Sequence, residues 1–243
     1  MNEEHFADAI GGKVQRGNHT DKKDVIDARD NSHSVKAGEW WQIFLYGEER
    51  LKTDIIFQIL GDVAAIMLDC LNAYPATYEE YLADKNAAKQ ALRPHMRRLA
   101  AELSKPRIFK GFLDKALFDG GNAQYLSIYP GPAKAPKMEK DFHVFAKDDV
   151  TTALLNDLTI ANSLGQYRGQ TPEQKVVFKS NLNGKQIGEI EARHDSAQHF
   201  REMKFRLNSP KVMKILEADA GNQKKEVFER VTAYGKAIRT FKA

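Results

Sequence analysis

The sequence predicts an α+β fold, and three observations carry that prediction. Short Val- and Ile-bearing segments near the start are separated by Gly, Asn and Asp clusters, the pattern of strands joined by turns. A middle stretch repeats apolar residues at helical spacing. Beyond it, alternating segments and helical ones interleave, giving a mixed α/β C-terminal half.

Taken in order, residues 2–10 predict a short helix. Asn2 can cap it, Glu3 and Glu4 suit its first turn, Gly11 and Gly12 stop it, and Phe6 and Ile10 form its buried stripe. Residues 24–28 and 33–37 predict two strands around the polar turn 28–32, a hairpin. Trp40–Tyr46 (WWQIFLY) is a dense apolar run that periodicity cannot assign, and it is read as a helix. Residues 54–71 place Ile55, Ile59, Val63, Ile66 and Cys70 on one helical face. Residues 78–103 predict one or two helices interrupted at Pro94, and Pro106 marks a further break.

Residues 124–129 and 142–146 alternate as strands do, around a proline-rich loop PGPAKAPK. Asp149 is expected to cap a helix over 150–164. Strands are expected at 175–180, 186–193 and 202–207, with Asn183-Gly184 as a hairpin turn. Helices at 212–216 and 225–241 close the chain. With 243 residues the division is a catalytic core with helical middle over 1–120 and a recognition region over 121–243, or one continuous domain.

Composition excludes several classes. A single cysteine, Cys70, rules out a disulfide framework and a four-cysteine zinc site, and its place in an apolar stripe makes it core. The acidic start MNEEHF lacks a secretory pattern, and no apolar run is long enough to span a bilayer. The expectation is a cytoplasmic protein with no membrane partner. There is no GxxxxGK[ST], no GxGxxG after a strand and no GxSxG, so nucleotide hydrolysis and serine-hydrolase chemistry are not indicated. His194 and His199 flank Asp195, but further ligands at zinc spacing are missing.

Net charge is only +4, yet its distribution is uneven. Residues 81–110 carry eight Lys or Arg against Asp84 and Glu102, and residues 201–243 carry eleven against five acids. That asymmetry suits a protein that grips a polyanion while keeping acids for another task.

The densest group of special residues lies between Glu4 and Gln42. Asp24 opens one strand of the expected hairpin, and Ser34 and Lys36 share a face of the return strand. An acid beside a lysine is what metal-assisted phosphodiester hydrolysis uses. The carboxylate holds a hard divalent cation, and the ammonium orients water and offsets phosphate charge.

Those residues, within GGKVQRGNHTDKKDVID and HSVKAGEWWQIFLYGEERL, resemble the PD-(D/E)xK nuclease superfamily and the start of type II restriction endonucleases. The resemblance covers about the first fifty residues; IGEIEARHDSAQHFREMKF is similar to a further segment of such enzymes. It implies a restriction-endonuclease-like core of helix, strand hairpin and following helix. Asp24 would be the first acid and a metal ligand, Lys36 the catalytic lysine, Ser34 the residue in the second acid's place, and Gln42 a glutamine on the helix after the lysine. Glu4 matches an N-terminal helix glutamate.

Two departures stand out. Lys23, not proline, precedes Asp24, and Ser34 lacks a carboxylate. Another acid must serve, with Glu4 ranked above Asp27, and Glu39 also near. The resemblance then implies a Mg²⁺-dependent, site-specific endonuclease of double-stranded DNA, working as a homodimer. Arg193, His199, Arg201 and Lys204 are candidates for contacts to bases or phosphates. Two alternatives are a non-catalytic DNA-binding protein and a nuclease of this fold without sequence preference.

Overall fold

The computed structural model describes residues 2–15, 22–131, 141–165, 171–220 and 224–242. The chain begins with α1 (Asn2–Ile10), β1 (Lys13–Val14), β2 (Val25–Ile26), β3 (Ser32–Ala37) and β4 (Trp40–Tyr46). A helical run follows: α2 (Glu48–Thr53), α3 (Ile55–Gln58), α4 (Val63–Asn72), α5 (Tyr78–Ala83), α6 (Lys85–Leu103) and α7 (Pro106–Phe118). Then come β5 (Tyr125–Tyr129), β6 (Phe142–Ala146), α8 (Lys147–Asp157), β7 (Leu158–Asn162), β8 (Lys175–Ser180) and β9 (Gln186–Ala192). The chain ends with β10 (Met203–Asn208), α9 (Ser209–Ala220), β11 (Lys225–Phe228), β12 (Val231–Tyr234) and α10 (Ile238–Phe241). The class is α+β, with two sheets among the described residues. Most of the proline-rich loop after Gly131 lies outside the described residues.

Two compact units divide the chain. The first takes Met1–Trp41, Leu113–Asp157 and Asn208–Ala243, and the second takes Gln42–Phe112 and Leu158–Leu207. Neither is contiguous, so a cut near residue 120 passes through the first. Composition reveals linkers, whereas here the chain changes unit inside or beside regular elements such as β4, α7 and β10.

In the first unit, seven strands form one sheet in the order β1-β2-β3-β5-β6-β12-β11. The expected hairpin is present: β2 and β3 pair antiparallel, with Val25 opposite His33. Strand β3 also runs parallel to β5, Ser34 beside Leu126 and Lys36 beside Ile128. A parallel pair needs a crossover rather than a tight turn. Helix α1 covers one face of β3 through Phe6, whose ring centroid lies 5.1 Å from His33 and 5.0 Å from Phe142. Phe6, Val25, Val35, Tyr125, Phe142, Val144 and Val231 are the buried centre of this unit.

The helix expected over 225–241 is mostly a hairpin instead. β11 and β12 pair antiparallel, and β12 lies parallel to β6, Val231 beside Phe142. Buried Val231 and Ala233 reward a strand there, and this tertiary gain overrides the helical propensity of Lys, Glu and Ala. Likewise the helix over 150–164 stops at Asp157, because Leu158–Asn162 pairs with β8.

In the second unit, five strands form an antiparallel sheet, β4-β10-β9-β8-β7. Trp40–Tyr46 is therefore a strand, not a helix. Trp41 and Ile43 are buried while Trp40 and Gln42 are exposed, the two-residue alternation of a sheet edge. Residues 54–71 form two helices rather than one. Gly61 adopts φ +55°, and a Cβ there would stand 2.6 Å from Glu102 Oε1, so the chain breaks at that point. Ile55 and Ile59 consequently face outward, and Phe57 turns inward.

Pro94 lies inside α6; the actual break is at Asp84, whose side chain accepts from Ala87 N and caps the helix. Gly184 takes φ +67° in the β8–β9 turn, as Asn-Gly predicts. Phe44, Phe57, Phe112, Phe178 and Phe205 make up the aromatic heart of this unit. No helix among the described residues is long and apolar enough to cross a membrane.

Candidate active site

Asp24 sits one residue before β2, its backbone N–H donating to His33 O at 2.9 Å. This ladder bond aims its side chain at β3. Asp24 Oδ2 accepts from Val35 N–H at 2.6 Å and from Lys36 Nζ at 3.3 Å. Lys36 Nζ also donates to Val35 O at 3.1 Å. Its side chain is mostly buried, 14% exposed, with Asp24 at 23%. Ser34, two residues back on the same face, is fully buried, and its hydroxyl has no hydrogen-bond partner. The hairpin thus brings Asp24 and Lys36 into contact.

Three charged groups join them that the sequence did not single out. Burial pushes the Lys22 ammonium down to about 8, and Lys36 adds to the fall, while Asp24 and Asp119 oppose it. Lys115, only 6% exposed, bonds Asp119 at 2.5 Å near the end of α7. Asp119 also accepts from Asn122 Nδ2 at 2.8 Å. The start of β3 is tied to this region, because Ser32 Oγ donates to Asn122 O and Gln124 N–H donates to Ser32 O. From α1, Glu3 lies within electrostatic reach of Lys36, the weakest of the influences on it. Desolvation would raise its carboxyl, yet its helix-start amide and Lys36 help hold it below the usual range. Glu4 is exposed.

Asp27 has a different task. Its carboxylate closes the hairpin turn, accepting from Arg29 N–H at 2.8 Å, Asn31 N–H at 2.9 Å and the Asn31 amide. It also faces buried His33 Nε2 at 3.4 Å, while His33 Nδ1 lies 3.0 Å from Ser127 Oγ. A neutral His33 that donates to Asp27 and accepts from the Ser127 hydroxyl satisfies both bonds. Burial would raise the Asp27 carboxyl, but the bonds from His33, Asn31 and Arg29 outweigh it and hold the group down to about 2. Burial also lowers His33, against the pull of Asp27.

Both groups bind protons less readily when folded, so their stabilisation is present at neutral pH and fades on acidification. For Asp27 the loss runs from about 3.8 down to about 2. Asp27→Asn is expected to flatten that limb, removing about 2 kcal/mol of pH dependence. Thermal unfolding followed by circular dichroism across this window is the check; identical acid limbs would remove Asp27 from the account.

The other candidates lie in the second unit. Gln42 is on β4, exposed, and on a strand rather than the expected helix. Arg193 bonds Asp195 through two nitrogens, at 2.8 and 2.6 Å. His199 Nδ1 lies 3.1 Å from Glu202, and Lys204 lies 2.5 Å from Glu191. Arg201 donates to Asn72 at 2.8 Å. Each basic candidate for nucleic-acid contact therefore has an intramolecular partner.

Among the described residues, no three Asp, Glu, His or Cys side chains gather in a form that can hold a metal ion. No protein-family model matches the chain, and no curated protein matches it.

Proposed function

We propose that the first unit hydrolyses phosphodiester bonds in double-stranded DNA, in the manner of a restriction endonuclease acting as a homodimer. The observation that carries this reading is the Asp24–Lys36 contact on neighbouring strands, beside a buried serine hydroxyl with bonding capacity to spare. The resemblance of the first fifty residues to type II restriction endonucleases supports it, as does the electrostatic reach of Lys22 to Lys36, Asp24 and Asp119.

A magnesium ion fits these residues in a sparing form. It is commonly held by one or two carboxylates, with water and substrate oxygens completing the shell. Asp24 would hold it, with the Ser34 hydroxyl standing where a second acid is usual. When bound, the ion would neutralise phosphate oxygens and acidify a water. Lys36, kept in place by Asp24 and Val35 O, orients the attacking water and counters charge gathering on phosphorus oxygens. Lys22 and Lys115 add positive charge for the substrate phosphate. Two copies related by a twofold axis would cut both strands of a symmetric site.

The competing reading is a non-catalytic DNA-binding protein. It is favoured by the same contact read as a structural ion pair, since Lys36 is already engaged on two oxygens.

Incubation with plasmid DNA and Mg²⁺ separates the readings. Discrete fragments support a site-specific enzyme, a smear supports one without sequence preference, and intact but retarded DNA supports binding alone. Asp24→Asn is expected to weaken divalent-cation binding at least about tenfold by calorimetry. Wild-type affinity in that variant would take Asp24 out of metal binding.

A further inference from the structure

A cleft of about 550 Å³ lies on one face of the second unit's sheet. Alternate residues of a strand share a face, so Glu189 and Glu191 of β9 point into it together. Register sets Glu191 between Lys175 of β8 and Lys204 of β10, and Glu189 beside Arg206. Lys175 Nζ lies 2.6 Å from Glu191 and 2.8 Å from Glu189. Arg206 Nε donates to Glu189 at 2.8 Å, and the Gln186 amide donates to its other oxygen at 2.8 Å.

This arrangement is poorly explained as a device for stability. Ion pairs taken out of water contribute little net stability, and apolar residues of similar size often do as well. What the acids accomplish is fixation: they hold the heads of Lys175, Lys204 and Arg206 in one place. The carboxylates also fall short in number. The cleft is lined by five Lys or Arg against Glu189, Glu191 and Asp195, a surplus of two positive charges. Desolvation alone would lower the Lys175 ammonium, yet Glu191 and Glu189 hold it above its ordinary value, so its charge persists at neutral pH. At the same wall, Gln174 Nε2 is buried without a hydrogen-bond partner, a donor with its bond unmade.

We propose that this cleft binds the phosphate group of a nucleotide. A phosphate monoester dianion cancels the surplus of two, and its oxygens can accept from Arg206, Lys204 and Gln174. The volume exceeds a bare phosphate and falls in the range of small-ligand pockets, leaving room for a nucleoside among hydrogen-bonding side chains. The same chemistry is offered by a free mononucleotide and by the terminal phosphate of a nucleic acid. The proposal is independent of the hydrolytic reading of the first unit.

The test is titration of the isotope-labelled full chain in metal-free buffer containing chelator, which keeps cleavage out of the measurement. The probes are inorganic phosphate, a nucleoside 5′-monophosphate, and a short single-stranded oligonucleotide bearing a 5′-phosphate. Binding is read from the Gln174 side-chain amide and the Arg206 Nε–H resonances. Saturable shifts with the monophosphate identify free nucleotide as a source; shifts confined to the oligonucleotide identify nucleic acid.

Arg206→Gln is expected to weaken binding about ten- to hundredfold. Lys204→Gln serves the same purpose if that variant does not fold. Absence of shifts with all three probes up to about 10 mM would overturn the proposal. Shifts in a protein that never cuts DNA would leave this inference standing while removing the nuclease.

Discussion

Lys36→Ala is expected to lower the rate of DNA cleavage by at least about a thousandfold, while DNA affinity stays close to that of the parent protein. Asp24 keeps its 2.6 Å bond from Val35 N–H, so the hairpin retains its ladder and the carboxylate stays oriented. What disappears is the ammonium in contact with that carboxylate, and with it the group that orients water and counters charge at phosphorus. Initial rates on long heterogeneous duplex DNA with Mg²⁺, paired with gel retardation in chelator, make the measurement. Undiminished cutting removes Lys36 from the chemistry. Loss of binding and cutting together would instead mark the contact as structural. Lys36→Arg sharpens the result, because it keeps the charge and changes its shape.

The second large effect is on stability. Phe44→Ala is expected to destabilise the second unit by about 3–5 kcal/mol, the range for truncating a buried phenylalanine. Phe44 is 5% exposed and its ring packs against Tyr46, Phe57, Phe112 and Phe205 at centroid distances of 4.7 to 6.0 Å. Urea unfolding monitored by circular dichroism reads the change. A loss below about 1 kcal/mol would mean that the neighbours collapse into the space, and that this ring is not central to the packing.

The part of the site that could be read in the sequence is the part made by near neighbours. Asp24 and Lys36 are joined by a short hairpin whose polar turn and flanking Val and Ile residues are visible as text, and their contact follows from antiparallel pairing. Lys115 and Asp119 were not legible, because what relates them to β3 is its pairing with β5, far along the chain. A lysine and an aspartate four apart are common, and nothing local marks this pair. Lys22 was hidden by its neighbours, one base in a run of Lys22, Lys23 and Asp24 whose burial only the fold reveals.

Fold errors have the same origin. WWQIFLY is apolar nearly throughout, so its period does not declare a strand, and Gln42 lies on β4 rather than on the expected helix. The segment over 225–241 has helix-forming composition, yet its partner is β6, an element no local window contains.

The crossover from β3 to β5 also bears on the order in which the protein assembles. Bringing distant strands together costs loop-closure entropy that grows with the length of free chain between them. Most of that intervening chain belongs to the second unit, and its two ends are held together there, Phe44 and Phe112 having ring centroids 6.0 Å apart. Once that unit has condensed, it returns the polypeptide near the point where it received it, and the remaining tether between β3 and β5 is short. Early condensation of the insert would thus act as an internal clasp, hastening the registration of Lys36 with Ile128.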